Sequence, residues 1–255
     1  MEQRYVQGLT GETPDVETSS DDYARRFSGA VGEWFLDVQE RACLDLVRPW
    51  RGGTVLDVGG GHGQIAVPLA REGFCVTVLG SAPVCRERLD RAARRAGVEV
   101  AFEHGTLLPL PYGDGSFDVV VSFRLLPHIR RWRRLVAELC RVARSAVVVD
   151  YAPLVSANLL APLLFHVKKG IEKNTRYYLT FLEGAVRRAF QAAGFYATGR
   201  FDEFFVPMAV HRMLGRPRAS AVAEDVSRRL GLTRLLGSPV ILRAEPTRRG
   251  KAGHT

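Results

Sequence analysis

Apolar residues follow a helical period in some segments of the chain and a strand-like pattern in others. From about Glu33 to Arg48 they recur at helical spacing, and Pro49 ends that segment. Beyond it, short apolar and β-branched runs alternate with helical segments. The pattern predicts strands at 54–58, 75–79, 98–102, 117–122 and 146–150, and helices at 64–71, 83–96 and 131–142. Strands separated by helices of this length favour a parallel, doubly wound α/β sheet.

The two ends and the second half of the chain follow other patterns. Residues 1–20 are polar and are predicted to form a flexible arm. A helix-start signal at Ser19–Asp22 opens a short helix with Tyr23 and Phe27, so we expect a helical cap over 21–49. The main domain is predicted over 50–245, with helical insertions at about 153–178 and 206–237, a helix at 179–193, strands at 195–205 and 238–244, and a disordered tail at 246–255.

Composition and charge narrow the class of protein. The 255 residues are 46% hydrophobic and carry a net charge of +9, which is typical of one globular domain with a basic surface. No long basic stripe interleaves with aromatic residues, so nucleic acid is not the favoured partner. The four cysteines lie far apart and have neither zinc-ligand nor disulfide-framework spacing, so no metal site is expected.

Targeting signals are not apparent. The first residues lack the charged-then-apolar pattern of a signal peptide, and the longest apolar stretch is far shorter than the roughly 20 residues needed to span a bilayer. These observations predict a cytoplasmic protein and leave peripheral membrane contact open.

A glycine-rich turn is the clearest candidate for a ligand site. The segment 55–63, Val-Leu-Asp-Val-Gly-Gly-Gly-His-Gly, follows a predicted strand and opens a helix. Glycines let a ligand approach the backbone, and the free N–H groups of the helix favour a carboxylate or a phosphate. The spacing Gly59-x-Gly61-x-Gly63, followed by Gln64, departs from the dinucleotide fingerprint and disfavours NAD or FAD.

This turn and three later segments together resemble class I S-adenosylmethionine-dependent methyltransferases. Asp57-x-Gly59-x-Gly61-x-Gly63 is similar to the first motif of that family. The other segments, 110–120 (LPYGDGSFDVV), 125–129 (LLPHI) and 138–142 (ELCRV), resemble later family motifs in order and spacing, and Asp150 also fits. The resemblance covers about 50–155. It implies a Rossmann-like sheet of seven strands, mostly parallel with one antiparallel strand near the end, and a methyltransferase that uses S-adenosylmethionine.

The resemblance also implies roles for individual residues. Gly59, Gly61 and Gly63 would line the methionine part of the cofactor, and Asp57 would fix its amino group or only cap the amides of the turn. Further candidates for cofactor contact are Tyr23 of the cap, Ser122 at the end of the fourth strand, and His62 and Gln64, of which the last two could equally face solvent.

Two positions depart from the family pattern. Gly80 stands where an acidic residue normally holds the ribose, with Ser81 as the nearest polar group. Thr106 stands at the second acidic position, where its hydroxyl would meet the adenine amine and the N–H of Leu107 a ring nitrogen. These departures leave open a weak or inactive binding module as an alternative to an enzyme.

Methyl transfer needs few catalytic groups, since the cofactor carries the activation and a base is needed only if the acceptor loses a proton. His128, after the fourth strand, is the first candidate base, and Tyr151, after the fifth, is a weaker one. The Asp/Asn-Pro-Pro-aromatic motif of amino-directed nucleic-acid methyltransferases is absent, which favours O- or C-methylation of a small molecule.

Apolar pairs after residue 155 would form a lid for an apolar acceptor, or only the core of the inserted helices. The basic charge keeps an RNA-directed methyltransferase as a second alternative. Each of these candidate functions that uses S-adenosylmethionine requires a crevice beside the glycine turn with room for a nucleoside.

Overall fold

The computed structural model describes residues 13–18, 20–61, 63–157 and 178–247. Its strands are β1 (Thr54–Val58), β2 (Cys75–Gly80), β3 (Ala101–His104), β4 (Phe117–Ser122), β5 (Ala143–Tyr151), β6 (Phe195–Phe204) and β7 (Ser238–Pro246). Its helices are α1 (Asp15–Thr18), α2 (Asp21–Arg25), α3 (Gly29–Val47), α4 (Ala66–Arg71), α5 (Val84–Ala96), α6 (Trp132–Val142), α7 (Glu183–Ala192), α8 (Met208–Leu214), α9 (Pro217–Arg229) and α10 (Leu232–Leu236).

The strands form one sheet in the order β3-β2-β1-β4-β5-β7-β6. β1 to β5 are paired in parallel, and β7 runs antiparallel to both of its neighbours. This confirms the predicted seven-stranded, mostly parallel sheet with one antiparallel strand. The strand order reverses between β1 and β4, and the carboxyl ends of these strands frame the crevice in which open α/β sheets bind ligands.

The sheet has a hydrophobic core on each face. Leu56, Val120 and Val147 point to one face, and Val55 and Val148 point to the other; all five are fully buried. Because these strands are buried on both faces, their sequences are continuous apolar runs and do not alternate between apolar and polar residues. The cap helix α3 joins through a smaller cluster in which Phe35 packs on Phe204 of β6.

The predicted third strand begins three residues before the observed one. Gly97 adopts the left-handed conformation at the end of α5, and the N–H of Val98 donates to the carbonyl of Ala93 at 3.2 Å. Residue 98 therefore completes the helix cap, and the strand begins at Ala101. The helical segment predicted at 206–237 is three helices, because Gly215 and Gly231 take positive φ angles of 62° and 75° between them.

The N-terminal region differs from the predicted arm. Asp15–Thr18 forms a helical turn, and Asp15 is fully buried. Ser20 caps α2 by accepting a hydrogen bond from the N–H of Tyr23, whereas Ser19, the first residue of the predicted helix-start signal, lies outside the described residues. Most of the predicted 153–178 insertion and of the 246–255 tail also lies outside them, and β7 continues to Pro246.

Candidate functional site

The glycine turn leaves the carboxyl end of β1 at the centre of the sheet. Gly59 has a φ of 80° and Gly63 a φ of 70°, angles that other residues adopt at a cost. Gly60 is constrained by space instead, because a β-carbon there would lie 1.9 Å from Oδ2 of Asp57. The turn is thus folded tightly onto the Asp57 carboxylate, and His62 lies outside the described residues.

Asp57 is a buried carboxylate without a partner. It is 1% exposed, and neither carboxylate oxygen has a hydrogen bond in the described structure. Burial raises its pKa to about 7, although the Arg124 guanidinium acts in the opposite direction. An orphaned buried acid is costly unless a ligand completes it. The site therefore fits the ammonium group of an amino acid, as the methionine part of S-adenosylmethionine carries.

The nucleoside side of the crevice has a different construction from the family pattern. A β-carbon at Gly80 would lie 2.8 Å from the Phe102 ring, so no acidic side chain fits there. A carboxylate arrives instead from α1. Asp15 accepts hydrogen bonds from the backbone N–H of Ser81, at 2.7 Å, and from the Ser81 hydroxyl.

The same contact contradicts the expectation of an open crevice. The β-carbon of Asp15 lies 3.5 Å and the Leu125 side chain 3.1 Å from the position that a β-carbon on Gly59 would take. The cavity that remains between Gly59 and Arg124 is about 10 Å³, which is too small for the methionine part of the cofactor, and Asp15 occupies the side towards Ser81. Binding of the whole cofactor therefore requires that α1 move.

The other predicted cofactor contacts are engaged within the protein. The Thr106 hydroxyl donates to the carbonyl of Pro109 at 2.5 Å, and the Ser122 hydroxyl donates to the carbonyl of Val58 at 3.0 Å. The Leu107 side chain lies in the core. These residues surround the ends of β1, β4 and the segment after β3, and their contact with cofactor stays a prediction.

Arg124 joins the glycine turn to a second polar group. It has a φ of 57°, which is uncommon outside glycine and is found where neighbouring structure enforces it. Its backbone N–H donates to Oδ1 of Asp150 at 2.6 Å, and its guanidinium donates to the Gln64 side chain. The guanidinium also lies over the rings of Phe27 and Tyr23, at 5.1 and 5.7 Å from their centroids.

Two buried carboxyl groups, Asp150 at the end of β5 and Glu203 in β6, meet at Gln39 of α3. The Gln39 amide donates to Glu203 at 3.1 Å and to Asp150 at 3.5 Å. Burial raises the pKa of Asp150 to about 6 and that of Glu203 to about 8, and the Asp150 charge adds to the effect on Glu203. Gln39 and Glu203 were missed from the sequence, where the one signal was a polar residue on an otherwise apolar helix face.

A partly open cavity of about 160 Å³ lies beside this acidic pair. Its wall is largely apolar with several aromatic rings, and its polar groups include side chains from α3, β5 and β6. The residues that define it include Tyr23, Phe27, Phe35, Gln39, Arg124, His128, Asp150, Tyr178 and Glu203. Tyr23, a predicted cofactor contact, therefore faces this cavity as well as the Arg124 guanidinium.

The two candidate bases differ in their surroundings. His128 lines the cavity, and its ring packs edge-on against Tyr178 with centroids 5.4 Å apart. Tyr151 also lines the cavity, but its hydroxyl is buried without a hydrogen bond in the described structure, and its ring packs against Phe181 in the core. Both roles stay predictions, and the surroundings favour His128, because burial raises the pKa of the Tyr151 hydroxyl and so disfavours its ionised form.

Comparison with known proteins finds relatives for the part of the chain that contains the glycine turn. Residues 55–146 match the family model described as a methyltransferase domain. The ubiquinone biosynthesis O-methyltransferase of Paramagnetospirillum magneticum is 41% identical over 86 residues, or 33% of each chain. The chain thus spans about a third of the length of the curated relatives it matches first.

Solved structures share the fold over most of this chain. The magnesium protoporphyrin IX methyltransferase of Synechocystis, solved with bound S-adenosylhomocysteine, has a TM-score of 0.63 at 17% identity and covers 90% of this chain and 96% of its own. A [4+2]-cyclase has a TM-score of 0.54 at 22% identity, with 80% and 79% covered. The predicted resemblance to class I methyltransferases is confirmed for the domain at 55–146 and for the fold.

Proposed function

We propose that this protein is an S-adenosylmethionine-dependent methyltransferase that acts on a small molecule. The observation that carries the proposal is the unpartnered, fully buried Asp57 carboxylate beneath the glycine turn. When bound there, S-adenosylmethionine would supply an activated methyl group. The chain would hold the ammonium group with Asp57 and the carboxylate with the backbone N–H groups of the turn.

The aromatic cavity is the proposed acceptor site. Arg124 contributes to it and also to the space beside Gly59, so the two sites adjoin. The acceptor would be small, since the cavity is about 160 Å³, and aromatic walls would exclude water from the transfer. His128 or Asp150 would take the proton that an acceptor hydroxyl loses in O-methylation, and the same groups could serve an acceptor that is methylated at carbon.

The test is transfer of a labelled methyl group. The full chain is incubated with S-adenosylmethionine carrying an isotopic methyl label and with a metabolite extract, and products are analysed by mass spectrometry. We expect one labelled small molecule with the wild-type protein and a strongly reduced yield with Asp57→Asn. A product formed equally by both proteins would contradict the proposed site.

A binding module without methyl transfer is the second candidate. Asp15 over Ser81 and the closed crevice favour it, and a cyclase of the same fold shows that the fold alone does not determine the reaction. It predicts that S-adenosylmethionine or S-adenosylhomocysteine binds while no acceptor becomes labelled.

A further inference from the structure

The three helices between β6 and β7 expose an unusual number of large apolar side chains. Met213 of α8, Val222 and Val226 of α9, Leu230 at the end of α9 and Leu235 of α10 are between 51 and 75% exposed. We call this set the α8–α10 surface. Val222, Val226 and Leu230 are spaced four residues apart, so they form one stripe along the helix.

This stripe belongs to an amphipathic helix whose other side is already packed. Ser220, Glu224 and Ser227 of α9 are buried. Glu224 is held by His211 at 2.9 Å and by the backbone N–H groups of Phe205 and Val206 at 2.9 and 2.8 Å. The helix is thus anchored through its polar side, and its apolar stripe is turned outward. Clustered exposed apolar residues of this kind mark an interaction surface.

The charge around the stripe is strongly positive. The segment 208–236 contains six arginines and two acidic residues, and one of the two, Glu224, is buried. The other, Asp225, pairs with Arg229. Arg216 and Arg218 form no ion pair within the part of the chain that the structure describes. Apolar residues edged by arginine are typical of helices that lie on an anionic membrane surface.

A second copy of this chain fits the surface less well. A two-fold interface places the same patch of each copy against the other, so two strongly positive patches would meet with one exposed acid per copy to offset them. An anionic lipid bilayer offers negatively charged headgroups to the arginines and a hydrocarbon interior to the apolar stripe. Within the described residues no helix is long and apolar enough to cross a membrane, so the contact would be peripheral.

We propose that the α8–α10 surface docks the protein onto anionic lipid bilayers. Docking would place the acceptor cavity close to the bilayer, since Met208, the first residue of α8, lines that cavity. The inference goes beyond methyl transfer and does not depend on it, because neither cofactor nor acceptor takes part in the contact.

Vesicle sedimentation tests the proposal on the full-length chain. Vesicles of phosphatidylcholine alone are compared with vesicles containing about one third phosphatidylglycerol, at about 0.05 and 0.5 M salt. We expect the protein to pellet with the anionic vesicles at low salt, and at least tenfold less with neutral vesicles or at high salt.

Matched variants locate the contact. Val226→Asp and the pair Arg218→Glu with Arg229→Glu should each weaken anionic-vesicle binding at least tenfold. Val84→Asp alters another valine, 52% exposed on α5, and Arg94→Glu with Arg95→Glu makes the same change of charge on that helix; both should bind as wild type. Thermal melts show that each variant is folded.

Several results would overturn the proposal. These are failure of the wild type to pellet at low salt, equal loss in the α5 controls, or unchanged binding by Val226→Asp, which would mean adsorption by charge alone. A dimer in light scattering that Val226→Asp dissociates, without vesicle binding, would assign the surface to a second copy.

Discussion

Replacement of Asp57 by asparagine should strengthen the fold and weaken ligand binding at the same time. The pKa of this buried carboxyl is about 7 instead of its ordinary 3.8. Because the folded state holds the proton more tightly, the free energy of unfolding falls as pH rises from about 4 towards 7. The shift corresponds to about 4 kcal/mol at pH 7, as an order of magnitude.

Asparagine removes that penalty but leaves a buried amide without partners, which costs about 1–3 kcal/mol. We therefore expect a net gain of about 1–3 kcal/mol, or roughly 2–10 °C in the thermal midpoint at pH 7 for a chain of this size. The gain should shrink and then reverse towards pH 4, because Asp57 is protonated there in the folded state and close to half protonated in the unfolded state, so little of the penalty is left to remove. Thermal melts of both proteins between pH 4 and 8 measure it.

Ligand binding should change in the opposite direction. Loss of a hydrogen bond to a charged group costs about 1.5–3 kcal/mol, so the affinity for S-adenosylmethionine should fall by roughly 10- to 150-fold. At pH 7 about half of the free protein carries a proton on Asp57, and an ammonium partner displaces it. Titrations in buffers of different ionisation enthalpy should then show about half a proton released by the wild type and none by Asp57→Asn.

An Asp57→Asn variant that is less stable than wild type at pH 7, or that binds the cofactor unchanged, would refute this reasoning. The first result would mean that the carboxylate has a stabilising partner in the protein. The second would place the ligand elsewhere.

Three further outcomes follow from the structure. Asp15→Ala should tighten binding of S-adenosylhomocysteine about tenfold or more, because Asp15 must leave Ser81 before a nucleoside enters. Calorimetry measures the affinity, and weaker binding by the variant would mean that Asp15 itself contacts the ligand. Unfolding free energy should fall as pH rises from about 4.5 to 8 because Glu203 has a raised pKa of about 8, and Glu203→Gln should flatten that decline in denaturant titrations. Leu139→Ala, in the fully buried stripe of α6, should cost about 2–5 kcal/mol of unfolding free energy, whereas a loss below about 1 kcal/mol would contradict the packing.

The central strands could be predicted closely from the sequence, and the remote contacts of the site could not. β1 and β4 match their predicted bounds because buried β-branched runs specify a strand through local composition alone. The acidic group near Ser81 comes instead from Asp15, which lies 66 residues away along the chain. From the sequence, Gly80 suggested that the acidic contact to the ribose had been lost. The structure shows that the Phe102 ring occupies the space that a side chain at position 80 would need.

The acidic pair beside the cavity was predictable only in part. Asp150 was recognised because it ends a strand whose position was already established. Glu203 lies in a strand of alternating character at the edge of the sheet, and its partner Gln39 comes from a helix 164 residues away. Burial of these groups depends on how the cap packs on the sheet. That packing cannot be predicted from the local sequence pattern.

Binding of S-adenosylmethionine at the glycine turn is tested most directly by calorimetric titration of the full chain, with Gly60→Ala as the altered protein and Gly184→Ala as the matched glycine control. A β-carbon at position 60 meets the Asp57 carboxylate, whereas at 184 the nearest neighbour is the flexible end of Arg188. The account predicts saturable one-to-one binding by the wild type and by Gly184→Ala, and a large loss in Gly60→Ala. Absence of binding by the wild type at millimolar ligand, or equal binding by all three proteins, would contradict it.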